Sequence, residues 1–186
     1  MTVHTLIRAA ALALAFQQAA SLTAELAAQG AGGSARSTNL VCPLLTEKEV
    51  EAATGLDYGP GKDFDEQDEG IDEPTCMWGG PSMVGRDLPE IVVRFFPASA
   101  RGSHTEARAK WKLRAGCTRE PVRGVGDRAF VEICGGSISS ASVYARTGRS
   151  DIAVHVYLKR GESMASPVKP VAIALAKAAA ARAKAK

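Results

Sequence analysis

The spacing of hydrophobic positions changes along the chain, and each change marks an element. Thr46-Glu47-Lys48-Glu49 has the form of a capping box: the Thr46 hydroxyl accepts from the Glu49 N–H while the Glu49 side chain reaches back. Leu45 precedes this cap, Val50 lies on the first turn and Gly55 supplies a left-handed stop, so a short helix lying against a sheet is expected. Residues 91–96 (IVVRFF) are a β-rich run ended by Pro97, which predicts a strand. Residues 103–115 lack breakers and put Ala107, Trp111 and Ala115 on one face at helical spacing, with Arg108, Lys110, Lys112 and Arg114 elsewhere. That pattern predicts an amphipathic helix packing through a core Trp111.

From Asp127 onward the period falls to two. Residues 128–134 alternate, Gly135-Gly136 provides turn chemistry, and residues 138–146 return. Thr147-Gly148-Arg149-Ser150 makes a second turn, after which Ile152, Val154, Val156 and Leu158 alternate with Ala153, His155 and Tyr157, so that one face is core. Gly161 ends this strand. Ser166-Pro167 opens a final helix, with Pro170 in its first turn, that runs through Val171, Ile173, Leu175 and many alanines to a frayed basic end at Arg182, Lys184 and Lys186. The fold class predicted is α+β, with consecutive antiparallel strands in one sheet.

Residues 58–74 break the pattern. They are rich in Gly, Asp and Glu, have no apolar period and are read as a long loop. The acidic run Asp63, Asp65, Glu66, Asp68, Glu69, Asp72 and Glu73 raises calcium, because hard cations take clustered carboxylates. The spacing does not fit an EF-hand loop: with Asp63 first the turn glycine falls on Asp68, and with Asp65 first the closing Glu falls on Cys76. A solvated acidic loop is expected, with no metal and no cofactor. Asp63, Asp65, Glu66 and Asp68, together with Gly126, Asp127 and Arg128, form the candidate binding loops. The latter three could hold an anion on loop amides, although a turn in which Gly supplies positive φ and Asp127 bonds local backbone explains them without a ligand.

The N-terminus reads as a leader. Residues 1–8 end on the positive Arg8, and residues 9–16 (AAALALAF) are an uncharged run too short to span a bilayer. Cleavage after Ser21, behind Ala19, divides the chain into a signal peptide 1–21, a flexible segment 22–38 and a single α+β domain 39–183; Ala28 with Gly30 offers an alternative cleavage point. About 145 residues remain in that domain, enough for one core. Apolar residues make up 46% of the chain but aromatics only 5%, so Val, Ile, Leu and Ala are expected to build it. The formal net charge of +3 is too weak to argue for nucleic acid, and no transmembrane segment is expected after leader removal. Asn39-Leu40-Val41 before Cys42 is not a lipid-attachment signal, which predicts a soluble mature protein.

Cys42, Cys76, Cys117 and Cys134 follow that leader, and an even number of cysteines after an export signal reads as structural crosslinking in an oxidising compartment, secreted or periplasmic. Three connectivities are open to four cysteines. Cys42–Cys76 with Cys117–Cys134 is preferred, because each bond joins neighbouring elements and the second would staple the loop 124–127 to the sheet. On the chain-entropy model each contributes about 3 to 4 kcal/mol. Zinc is not expected, since no pair has Cys-x-x-Cys spacing and His104 and His155 form no ligand ladder with them.

Cys42-Pro43-Leu44-Leu45-Thr46 opening a capped helix that ends at Ala53-Thr54-Gly55, then Cys76-Met77-Trp78, then Val125-Gly126-Asp127-Arg128-Ala129, and last an alanine-rich helix, occur in that order. In this the chain resembles a family of uncharacterised actinobacterial envelope lipoproteins with a Cys-x-Leu-Leu-Thr start, a Cys-x-Trp strand and a Gly-x-Gly-Asp-x-Ala loop. The match covers most of residues 40–182. The resemblance implies a PsbP-like α+β sandwich, an antiparallel sheet with helices packed on one side, and the Cys42–Cys76 bond, and it carries over no catalytic residues. The chain departs from the family in lacking the lipid-attachment cysteine and in having Cys117 and Cys134.

Enzyme motifs are sparse. Gly135-Gly136-Ser137-Ile138-Ser139 lacks the last glycine of a nucleophile elbow, and there is no phosphate loop, dinucleotide fingerprint or His-Glu-x-x-His helix. His4 falls in the leader. Asp151 and His155 sit an even number apart on one strand and so share a face, which makes a hydrolase using His155, Asp151 and a serine conceivable; a solvent-side His155 is the simpler expectation. The function expected is a secreted or periplasmic non-enzymatic binding module with a protein or cell-envelope component as partner. The alternatives are a periplasmic inhibitor or immunity protein for an exported toxin, whose acidic loop covers a basic active site, and the His155 hydrolase.

Overall fold

The computed structural model describes residues 41–64, 73–79, 88–97, 102–159, 164 and 166–184, all within one compact unit, Asn39–Lys186. The leader 1–21, the segment 22–38 and the acidic residues Asp65, Glu66 and Asp68 lie outside the described residues.

Among the described residues the fold is α+β: a seven-stranded, wholly antiparallel sheet with three α-helices. After a 3₁₀ turn at Cys42–Leu44 come α1 (Glu47–Thr54), β1 (Lys62–Phe64), β2 (Thr75–Trp78), β3 (Glu90–Phe96), α2 (His104–Lys110), β4 (Cys117–Val122), β5 (Arg128–Cys134), β6 (Ile138–Thr147), β7 (Ser150–Lys159) and α3 (Val168–Lys184). The strand order is β1-β2-β3-β7-β6-β5-β4. β4 through β7 form a meander, and β3 closes onto the far side of β7.

The first face of the sheet holds the main core. Ile91, Val93, Val131, Val143, Ile152, Val154 and Val156 point to one side and are sealed by Val171, Ala172, Leu175, Ala176 and Ala179 of α3. Alanines at those helix positions let the backbone lie close to the strands, so many small van der Waals contacts replace a few large ones. α1 packs on the same side through Val50, next to Leu44 and Leu45. Its capping box forms as expected: the Thr46 hydroxyl accepts from the Glu49 N–H (3.3 Å), the Glu49 carboxylate accepts from the Thr46 N–H (2.8 Å), and Gly55 stops the helix at φ 74°. Arg182 then donates to both Glu49 carboxylate oxygens (2.8 Å each) and to the Leu44 carbonyl (3.1 Å). The basic end of α3 is therefore fastened to α1 as far as Arg182, not frayed there.

Three further expectations change. The stretch 58–74 is not all loop, because Lys62–Phe64 pairs with β2 as an edge strand. Residues 117–122 form a strand that Pro121 hides; proline is admissible there because β4 is the other edge of the sheet. The helix expected over 103–115 ends at Lys110, and Trp111 is 57% exposed instead of sitting in the core. The cause is Arg119. Its guanidinium donates to the carbonyls of Ala109 (2.6 Å), Arg108 (3.1 Å) and Trp111 (3.2 Å), satisfying the end of α2 from outside so that no further turn is needed. This helix also lies across the second face of the sheet, with Ala109 packed on Phe96, Phe130, Tyr144 and Ala153. α1 and α3 thus share one side of the sheet, and α2 adds a short cover to the other.

Both preferred disulfides, Cys42–Cys76 and Cys117–Cys134, are present, and among the described residues no cysteine is free. The first ties the 3₁₀ turn to β2. The second joins directly opposed residues of β4 and β5 at the open end of their hairpin, so it closes that end and does not staple the loop 124–127, which lies at the other.

Candidate functional site

The second face of the sheet gathers the chemistry. Alternation on β5, β6 and β7 that turns valines to the core turns Phe130, Glu132, Ser142, Tyr144, Asp151, Ala153, His155 and Tyr157 the other way. The register brings Val92, His155, Ser142, Glu132 and Arg119 into one row running across five strands.

At the centre, His155 Nδ1 is 2.9 Å from the Ser142 hydroxyl. His155 is only 8% exposed, and the solvent-side position expected for it is corrected: the side chain is walled by the edge of the Tyr144 ring and the face of Tyr157. Burial pushes its imidazole down to about 3, with the positive fields of Arg94 and Arg108 and the neighbouring His104 adding to the effect. His155 is neutral at any physiological pH. His104, at the start of α2, stacks on Phe96 with ring centroids 3.8 Å apart, and burial lowers its pKa as well, outweighing the carboxylates of Glu73 and Asp151.

Asp151 shares the face with His155, as their spacing requires, but it acts elsewhere. Its carboxylate accepts from the Ser103 hydroxyl (2.7 Å), the His104 N–H (3.1 Å) and the Thr105 N–H (3.3 Å), so it caps α2 across the sheet. Glu132, only 4% exposed, is gripped by Arg108 from α2 and Arg119 from β4. The Arg108 guanidinium lies between the rings of Trp111 (5.0 Å) and Tyr144 (5.2 Å), and that of Arg119 lies 5.1 Å from the Phe130 ring. These contacts fix α2, and the chain leaving it, to the sheet at both ends of the helix.

Of the sequence-predicted binding residues, Gly126, Asp127 and Arg128 lie where β4 turns into β5, with Arg128 exposed. Gly126 has φ 56°, and a Cβ there would clash with the Arg146 carbonyl. The Asp127 N–H donates to that carbonyl (2.8 Å), and its carboxylate accepts from the Gly148 N–H (2.6 Å). Asp127 therefore joins two hairpin turns, which accounts for the motif by backbone bonding to a turn distant in sequence. Asp63 sits on β1, away from this cluster, its carboxyl raised by partial burial. Its oxygen lies within 4.8 Å of both Cys42 and Cys76 sulfurs, but those sulfurs are bonded to each other and offer no thiolate to a metal.

Ser142, Glu132 and Arg119 were not foreseen as members of the site. Two signals in the sequence bear on Glu132 and Ser142, and none on Arg119. Glu132 interrupts the otherwise apolar run Ala129-Phe130-Val131-Glu132-Ile133. Counting outward from the turn pair Thr147↔Ser150 brings Ser142 opposite His155.

Chemically, a neutral imidazole on a serine hydroxyl is the start of a nucleophile–base pair. The carboxylate that would orient it is engaged at α2, and a base with a pKa near 3 accepts a proton poorly. The face also holds the Arg108 guanidinium within cation–π range of both Tyr144 and Trp111, the latter ring exposed. No family model, curated protein or solved structure matches this chain.

Proposed function

We propose that this protein is a secreted or periplasmic, non-enzymatic binding module of the bacterial cell envelope, one that holds a protein or envelope component on its loops and on the α2 side of its sheet. The observation that carries the reading is the pair of disulfides, one tying the N-terminal turn to β2 and the other closing the β4–β5 hairpin. Such bonds persist where the surroundings are oxidising, and they hold a scaffold stiff enough to present loops without loss of binding entropy. The engagement of Asp151 as a helix cap and the depressed basicity of His155 support a binding role over acid–base chemistry. The ordered motifs from Cys42 to the alanine-rich helix support kinship with the actinobacterial envelope lipoproteins.

The test is photo-crosslinking in intact cells. A crosslinker is placed in turn at Asp68, Asp127 and Arg128, with export and both bonds checked by non-reducing peptide mapping. A discrete adduct at one of these positions, competed by excess untagged protein, is the expected result. Protein that stays in the cytosol with reduced thiols, or that yields no adduct at any position, ends the proposal.

The 2.9 Å contact between Ser142 and His155 favours a second reading, a serine hydrolase. A fluorophosphonate probe that labels Ser142 in the wild type and not in His155→Ala, together with turnover of an ester, peptide or glycan substrate, would establish it and displace the first.

A further inference from the structure

Trp111 and Ile138 are the large hydrophobic side chains left exposed among the described residues, at 57% and 47%. Both belong to the α2 side of the sheet. Trp111 follows α2 directly, and Ile138 occupies the β6 position from which Ser140, Ser142 and Tyr144 alternate onto that side. Trp111 is not a loose ring: the Arg108 guanidinium, itself fixed to Glu132, lies 5.0 Å from its centroid.

The surroundings are basic. Lys110, Lys112 and Arg114 are all exposed, with half-buried Leu113 among them, and exposed Lys159 pairs across from Ile138. The Arg114 charge reaches β7, where burial raises the Tyr157 phenol and the charges of Arg94 and Arg114 oppose that rise. Among the described residues, Glu132 is held by Arg108 and Arg119 and Glu106 by Arg146, while Glu90 stands across from Tyr157 at the margin. By contrast, the basic end of α3 is committed within the fold, Arg182 to Glu49 and Lys184 near Asp127.

An indole held outward among ammonium and guanidinium groups matches one kind of surface. Trp favours the headgroup level of a bilayer, where its apolar ring and polar N–H are both accommodated, and each neighbouring cation adds attraction to anionic lipid. A purely electrostatic partner would leave the exposure of Trp111 and Ile138 without a use. We propose that Lys110, Trp111, Lys112, Arg114 and Ile138 form a peripheral docking surface for an anionic lipid bilayer, entered by Trp111. This rests on the extracytoplasmic binding reading and names one of its partners.

The experiment uses the mature, disulfide-bonded protein and vesicles of phosphatidylcholine with or without phosphatidylglycerol. Binding is followed by sedimentation and by tryptophan emission. Trp78 is fully buried, so an emission change reports Trp111. Expected are salt-sensitive binding to the anionic vesicles only and a blue shift in emission. Lys110→Gln with Lys112→Gln should weaken binding roughly thirtyfold, and Trp111→Ala should weaken it further; both lysines are exposed and their substitution leaves the unfolding midpoint nearly unchanged, while Trp111→Ala lowers it only slightly.

Absence of binding to phosphatidylglycerol vesicles overturns the proposal. So does binding without a blue shift, or binding unaffected by Trp111→Ala. An equal blue shift with a soluble polyanion such as polyphosphate or an acidic glycan overturns it in favour of an anionic polymer. Photo-adducts at Asp68, Asp127 or Arg128 are read separately: if they persist while vesicle binding fails, the lipid surface alone is wrong, and if they are absent the binding-module reading falls whatever the vesicles show.

Discussion

The two faces of the sheet are built from the same strands by opposite means. Under α3 the contacts are aliphatic and non-directional: Val131, Val143, Ile152, Val154 and Val156 meet a helix stripe of Val171, Leu175 and alanines. Under α2 the buried groups include Glu132, Asp151 and His155, each held by named partners. An aliphatic face loses stability in proportion to the volume removed, and it tolerates exchanges of similar size. A polar face responds asymmetrically, because removing one partner leaves the other desolvated and unmatched.

The largest effect should come from breaking the polar face at its centre. Glu132→Ala strips the carboxylate from both Arg108 and Arg119 and is expected to cost about 3–5 kcal/mol, measured as a lower urea midpoint at unchanged slope. Glu132→Gln, which keeps the shape and one of the two accepting oxygens, should recover part of that loss. A loss in Glu132→Ala below that of an ordinary surface substitution would mean the two arginines find water instead. On the aliphatic face, Leu175→Ala should cost about 2–5 kcal/mol through the cavity it leaves, while Leu175→Met should cost under about 1.5 kcal/mol. If Leu175→Met is as damaging as Leu175→Ala, the two faces do not differ in tolerance as their chemistry requires.

The same contrast governs what the sequence makes legible. Period-two alternation from residue 128 onward identifies the aliphatic face because a valine's burial follows from its own strand. The capping box is equally local, complete within Thr46 to Glu49. The second face is a different case. Nothing within residues 150–159 says that α2 will arrive over Asp151 and His155 from nearly fifty positions upstream, so alternation alone assigns His155 to solvent. Trp111 fails for the same reason in reverse. Its spacing continues a helical stripe, but Arg119, on a strand that Pro121 disguises, terminates the helix before the stripe can be used. The two disulfides are legible because each joins neighbouring elements, whereas the Ser142–His155 contact spans two strands and shows only once the turn at residues 147–150 has set their register.

His155 sharpens the comparison through pH. In the unfolded chain it takes up a proton near 6.5, whereas in the fold it stays neutral until about 3. Between those values the unfolded state binds more protons, so the contribution of this residue is fully present above 6.5 and is lost as pH falls toward 3, at about 1.4 kcal/mol per pH unit. The groups facing it are Tyr144, Tyr157, His104, Arg94 and Arg108, whose cations strengthen the effect. Urea melts of the wild type and of His155→Gln at pH 7, 6, 5 and 4 should therefore converge as pH falls, with the variant the less acid-sensitive. Parallel curves would mean that His155 is hydrated and that the second face is open at its centre.

The smallest effect decides between the two accounts of Trp111. Helical spacing makes it a core residue, and Trp→Ala in a core costs about 3–5 kcal/mol. The structure leaves it 57% exposed, with its main contact the Arg108 guanidinium 5.0 Å from the ring. On that geometry Trp111→Ala should cost about 0.5–1 kcal/mol, the size of a cation–π contact at an exposed site. Helix content should hold, because Arg119 still satisfies the carbonyls of Arg108, Ala109 and residue 111. Acrylamide should quench one of the two tryptophans in the wild type and leave the variant's emission largely unquenched, since the one that remains, Trp78, is fully buried. A core-sized loss of stability with unquenched emission would put Trp111 inside, lengthen α2 through residue 115, and remove the exposed indole from which the lipid-docking surface is built.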